Sequence, residues 1–283
     1  MKKIIFLLLP LLSFAQGNTE IFLFDISKKG DNWKVTNGKN ISNNEGYDSQ
    51  PHFYSKDLIL FSSTRNKQTD IAAYSITNNK ISYINNTPNG GEYSPQRIPK
   101  SENISAVRLD TDGKQRFYEY NFITGKDKEL IKDLVVAYPL WYNKNTIVSS
   151  VIVNDSLELF VSDLEMKKNT SVTKNVGRSF HKIPKSKFIS FMKKNGENWE
   201  VWGLNPDTAI MKKIISVGKS QDICWLKDGT MLVASGSKIL KFKPKKDTEL
   251  TLFHDFSHLK FKTISRITTN KKSKKLAITV ELQ

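Results

Sequence analysis

The residues of this chain best suited to acid–base or ligand chemistry fall in short apolar runs at comparable places: Asp48, Gln50 and His52 in one, Glu92, Gln96 and Arg97 in a second, Arg178, His181 and Lys182 in a third, and Asp222 in a fourth. A carboxylate beside an imidazole can act as an acid and base pair, so Asp48, Glu92 and Asp222 with His52 or His181 could serve a lactonase, lyase or glycan hydrolase. A metal site needs several convergent ligands of suitable geometry. The chain has four histidines. His254 and His258 are four apart, which would align them on a helix, but Phe253-His254-Asp255-Phe256-Ser257-His258 reads as a strand end and its loop. His52 and His181 could meet only across a shared channel. Cys224, the one cysteine, sits in the apolar stretch Ile223-Cys224-Trp225-Leu226, where a thiol is inert packing. The sequence therefore assigns no catalytic residue, no metal and no cofactor. It assigns a ligand-binding set: Asp48, Gln50, His52, Glu92, Arg97, His181 and Asp222.

What must position these residues is a repeat. After the first residues, helical periodicity is nearly absent, and short alternating runs recur between clusters of Asn, Lys, Gly and Asp, the pattern of an all-β chain. Apolar runs begin at Ile59, Ile104, Ile147, Ile189, Leu232 and Leu276, 42 to 45 residues apart. A second run follows each of the first five, at Ile71, Phe117, Leu159, Val201 and Ile239, and three of these end in Asn121, Asp163 and Asn205, side chains that favour a tight turn. A third run closes each unit, as in Lys80-Ile81-Ser82-Tyr83-Ile84 and Glu249-Leu250-Thr251-Leu252-Phe253. A short strand precedes each unit, marked by Pro51, Pro95, Pro139, His181 and Cys224. Four strands in that span make one propeller blade. The unit starting at Leu276 lacks room for its last two strands, and Glu20-Ile21-Phe22-Leu23-Phe24-Asp25 with Trp33-Lys34-Val35-Thr36 supplies them. The fold class is thus all-β: a six-bladed β-propeller of four-stranded antiparallel blades, with N-terminal strands completing the C-terminal blade near Phe22 and Ala277. Its candidate residues would line the innermost strands around the central channel.

Pro51, Phe53, Ser55, Asp57, Ile59, Phe61, Ser63, Arg65, Asp70 and Ile71 follow the repeat of the TolB-like six-bladed propellers, and Pro95, Pro139, Asp163 and Asp228-Gly229 keep parts of it. The chain resembles that family over residues 16–283, read as one propeller domain. The resemblance is to the propeller repeat and not to TolB as a whole. Similar repeats occur in prolyl oligopeptidase-type peptidases beside an α/β-hydrolase domain, whose Gly-x-Ser-x-Gly elbow this sequence does not contain.

The 283 residues, 38% hydrophobic and 25% charged with net charge +16, exclude a disordered or fibrous chain. Met1-Lys2-Lys3, the apolar run from Ile4 to Leu12 and Ser13-Phe14-Ala15 read as a cleavable signal peptide over residues 1–15; neither that run nor any later one is long enough to span a bilayer. The mature chain is expected in the periplasm or medium without a transmembrane segment. Lysines cluster at 241–246 and 260–275, which predicts attraction to a protein or anionic envelope component; an exported chain without a recognition motif is not expected to bind nucleic acid. These features together predict an exported, non-catalytic propeller that binds a protein or envelope component through its ring face. The channel-mouth enzyme is the alternative.

Overall fold

Leu58-Ile59-Leu60-Phe61 places successive large side chains on opposite faces of one strand, so both faces need cover. In the structure, a computed structural model that describes residues 17–30, 32–88 and 90–282, Ile59, Leu60 and Phe61 are all fully buried because a further sheet packs on each side of theirs. The signal peptide read over residues 1–15 lies outside the described residues.

Among the described residues the chain forms twenty-four strands in six four-stranded antiparallel sheets. β1 (Thr19–Lys29) and β2 (Asn32–Asn40) open the chain. Blade 1 is β3 (Asp48–Phe53), β4 (Leu58–Arg65), β5 (Gln68–Ser75) and β6 (Lys80–Tyr83). Blade 2 is β7 (Gly90–Arg97), β8 (Ile104–Asp110), β9 (Gln115–Tyr120) and β10 (Asp127–Ile131). Blade 3 is β11 (Val136–Trp141), β12 (Thr146–Val153), β13 (Ser156–Asp163) and β14 (Lys168–Lys174). Blade 4 is β15 (Val176–Lys182), β16 (Ile189–Asn195), β17 (Asn198–Leu204) and β18 (Met211–Gly218). Blade 5 is β19 (Ile223–Trp225), β20 (Met231–Ser235), β21 (Lys238–Phe242) and β22 (Thr251–Asp255). After one 3-10 turn at Ser257–Leu259, β23 (Phe261–Thr269) and β24 (Lys275–Leu282) pair with β1 and β2 to complete blade 6.

Ring closure follows the expected pairing. Leu23 lies opposite Ala277 and Phe22 opposite Ile278, so the N-terminal strand is zipped onto the C-terminal one. Six apolar clusters fill the six seams between blades. A repeated polar clasp joins two of these seams: the buried indoles of Trp141 and Trp225 donate to Ser105 Oγ and Ser190 Oγ of the preceding blade, each at 2.8 Å. Tryptophan therefore fits there as both packing and a hydrogen-bonded tie. Outermost strands such as β6 and β14 are mostly exposed and carry lysine, which discourages pairing with another sheet.

The closing strand of blade 5 begins at Thr251 rather than Glu249, because Lys243 to Leu250 form a turn held by Asp247, whose carboxylate accepts from the Lys243 amide at 2.7 Å.

Candidate functional site

The innermost strands β3, β7, β11, β15, β19 and β23 surround the channel, and each begins on one ring face and ends at the turn to its second strand on the other. Two cavities meet along this axis. One, about 220 Å³, lies toward the ends of the inner strands and is lined by His52, Gln96, Leu140, His181, Lys182 and Thr268. The other, about 310 Å³, lies toward their beginnings and is lined by Tyr47, Tyr93, Leu109 and Gln115. Gln50, Tyr138, Arg178 and Arg266 border both cavities and form the throat between them.

The throat is held by hydrogen bonds between blades. Gln50 Oε1 accepts from the Ser94 amide at 2.7 Å and from Ser62 Oγ at 3.1 Å. Gln50 and Ser94 both adopt left-handed backbone (φ 60 and 53) just before a proline, where their strands bulge. Gln96 Nε2 donates to the Pro139 carbonyl at 2.5 Å. Arg178 reaches across to the Ser265 carbonyl at 3.0 Å, and Arg266 donates to Asp222 at 3.1 Å. Asp222 also accepts from the Ile267 amide at 3.1 Å and faces Arg178 Nε at 3.7 Å. Burial raises the Asp222 pKa, with both guanidinium groups and the Ile267 amide opposing it. Burial, then the charge of Arg266, lowers that of Arg178, whose Nε has no hydrogen-bond partner among the described residues.

His52 and His181 both line the first cavity. Burial pulls each imidazole down to about 4, and they are close enough that charge on His52 further disfavours charge on His181. Both are therefore neutral at pH 7. Lys182 is also lowered by burial. Arg178, Lys182 and Arg266 against the single carboxylate of Asp222 leave this cavity cationic, an environment suited to holding an anionic group. Among the described residues no group of three or more His, Cys, Asp or Glu is arranged to hold a metal ion.

The structure thus brings Gln50, His52, His181 and Asp222 together, with Gln96, Arg178 and Lys182 beside them. It places the other three elsewhere. Asp48 is fully buried in the seam between blades 6 and 1, near Glu20. Glu92 is fully buried in the seam between blades 1 and 2, where Oε1 accepts from the Tyr120 hydroxyl at 2.9 Å. Arg97 pairs with Glu102 at 2.5 Å and lies over the Tyr54 ring at 4.6 Å, away from the cavity. Cys224 is buried in the apolar seam of blades 5 and 6, and burial pushes its thiol well above the usual range, as expected of inert packing. His254 lies in β22 and His258 in the following 3-10 turn, so they do not share a helix.

Sequence reasoning missed Arg266, Tyr138 and Thr268. The signal for Arg266 was its distance of ten residues before Leu276, which matches that of Asp222 before Leu232.

No protein-family model and no curated protein matches the chain. Solved structures do. A protein from Agrobacterium tumefaciens assigned as TolB superposes with a TM-score of 0.74 at 11% identity, covering 94% of this chain and 99% of that one. The fold is that of the TolB-like six-bladed propellers. TolB from Acinetobacter baumannii matches with a TM-score of 0.57 at 14% identity over 71% of this chain, which spans about half (53%) of the length of that protein. A gluconolactonase from Xanthomonas campestris shares the ring with a TM-score of 0.64 at 10% identity, covering 91% and 94% of the two chains. The structures that share this ring thus include an enzyme, and function has to be argued from the site. No helix among the described residues is long and apolar enough to cross a membrane.

Proposed function

We propose that this chain is an exported, non-catalytic TolB-like propeller that binds a protein or envelope component through its ring face. The observation that carries this reading is the condition of the three carboxylates that acid–base chemistry would need. Asp48 and Glu92 are shut inside seams, and Asp222 is engaged by Arg266, Arg178 and the Ile267 amide. His52 and His181 then face a cationic cavity whose one lining carboxylate, Asp222, is already held by the two arginines and the Ile267 amide. Such a cavity favours binding an acidic group over moving protons. The leader read at residues 1–15 supports export, and the net charge of +16 supports an anionic partner.

The test is capture of partners from envelope extracts on the purified chain, run beside turnover assays on lactones, glycans and peptides. The expected result is a saturable partner whose binding weakens in Arg178→Gln, with no turnover. Turnover that disappears in His52→Ala or His181→Ala would establish the enzyme instead.

A further inference from the structure

We propose that the ring face carrying the turn between the first and second strand of every blade docks on an anionic lipid bilayer. This deepens the ring-face reading above, rests on it, and names the component bound.

The blade repeat fixes a lysine at one place on this face. Three residues after the inner strands end at Phe53, Arg97, Trp141, Lys182 and Thr269 stand Lys56, Lys100, Lys144, Lys185 and Lys272, all exposed. Only blade 5 differs, with Asp228 at that place and Lys227 before it. Lys187, Lys271 and Lys274 lie in the same turns and are also exposed. The three acids of these turns are already engaged: Glu102 by Arg97 at 2.5 Å, Asp228 by Lys28 at 2.8 Å, and Asp57 by Ser75 and Thr77. Among the described residues none of the nine turn lysines makes an ion pair. The third-to-fourth-strand turns of the lysine face add the acids Glu165, Asp207, Asp247 and Glu249, the first three held by Asn145, Tyr142 and the Lys243 amide, and the opposite face carries Asp110, Asp112, Asp155 and Glu197 at its turns beside Lys67 and Lys114, with Arg116 paired to Asp110 and Asp112.

A second observation points to lipid. Ile123, Met166 and Ile210 are exposed by 90%, 74% and 58%, more than any other large apolar residue described. All three stand in turns between third and fourth strands, which antiparallel order places on the lysine face, and they come from adjacent blades 2, 3 and 4. Asn121 and Asp163 accept the amides of Ile123 and Met166 at 3.1 and 2.9 Å, and Asn205 closes the third turn, so the apolar tips stand on ordered turns. A lysine follows each tip within three residues: Lys126, Lys167 and Lys212.

Apolar tips flanked by lysine are what an interfacial surface needs, since the apolar group enters the headgroup boundary while the ammonium stays with the phosphates. Lysines spread over all six blades engage a plane of anionic charge together, whereas a single acidic peptide would reach a few of them. Lysine also suits phosphate as a point charge that needs no preset fork geometry.

The test is cosedimentation of the chain from Gly17 onward, which contains every strand of the ring and omits the apolar leader, with phosphatidylcholine vesicles holding none or about 30% phosphatidylglycerol. Binding is expected only to the anionic vesicles, falling at least about tenfold in K56E/K144E/K185E/K272E and on raising sodium chloride to about 0.5 M. I123S/M166S/I210S is expected to lose several-fold, and K67E/K114E on the opposite face to bind unchanged. The salt titration uses the unaltered chain, so it decides the matter even if a variant fails to fold. Equal binding to neutral vesicles, no binding to anionic ones, or equal loss in the opposite-face variant would overturn the proposal. Absence of vesicle binding together with capture of an acidic protein that the lysine variant loses would overturn it while leaving the ring-face reading standing.

Discussion

Asp48 shows how much of a side chain's role depends on a single bulge. Along β3, Asp48, Gln50 and His52 share parity, so alternation alone puts all three on the channel face. The irregular register between Ser49 and His52 breaks that parity, leaving Gln50 and His52 at the channel and Asp48 in the seam. A similar irregularity between Tyr93 and Gln96 accompanies the burial of Glu92. Which residue types the inner strands carry was legible in the sequence, whereas which of them face the channel was not, because neither bulge has a glycine to announce it. Among the described residues neither oxygen of Asp48 has a hydrogen-bond partner of normal geometry, and burial pushes its carboxyl up to about 7, with Ser63 and Asn44 opposing and Glu20 adding to the rise. In an unfolded chain the group titrates near 3.9. The native state therefore keeps a proton that the unfolded state has released, and stability falls as pH rises from about 4 to about 7. Asp48→Asn is expected to be more stable than the parent by roughly 2–4 kcal/mol at pH 8, with the gain vanishing below about pH 4, read by urea melts across pH. At the seam clasps, Ser105→Ala and Ser190→Ala each leave a buried indole N–H without its acceptor and are expected to cost about 1–3 kcal/mol in the same assay.

Strands were the most readable level, since the period of 42 to 45 residues comes from runs that must be covered on both faces. The turn-closing side chains were readable too: the Asn121 carbonyl oxygen accepts the amides of Ile123 and Thr124, and Asp163 does the same for Glu165 and Met166. The inner strand of blade 6, β23, was not marked in advance, because Phe261 to Thr269 holds neither a proline nor a histidine of the kind that flagged four of the other five, and Arg266 went unseen with it. β1 shows what a complete strand contributes at this level. Phe24 is buried against Phe256, their rings 4.9 Å apart, and its ring lies where a Cβ on Gly38 would come within 2.3 Å, so glycine in β2 makes room for it. Phe24→Ala empties that space in the closing sheet and is expected to cost about 3–5 kcal/mol, measured as a lower denaturation midpoint at unchanged slope.

The whole ring is held by six seams of similar construction, so opening one exposes the apolar faces of its neighbours. A single cooperative unfolding transition is therefore expected, with fluorescence from tryptophans in blades 3, 4, 5 and 6 and circular dichroism following one curve; two separated transitions would show that the closing sheet opens by itself. The pairing that closes the ring also sets Thr19 directly opposite Glu281, on the face away from the lysines. A short peptide linking these neighbours, with the backbone cut instead at Asn154-Asp155 on that same side, would give a rearranged gene product with the same six sheets in the same order around the axis. Where translation starts would then be interchangeable among blades, and cargo attached at either end would hang clear of whatever the lysine-bearing side rests upon.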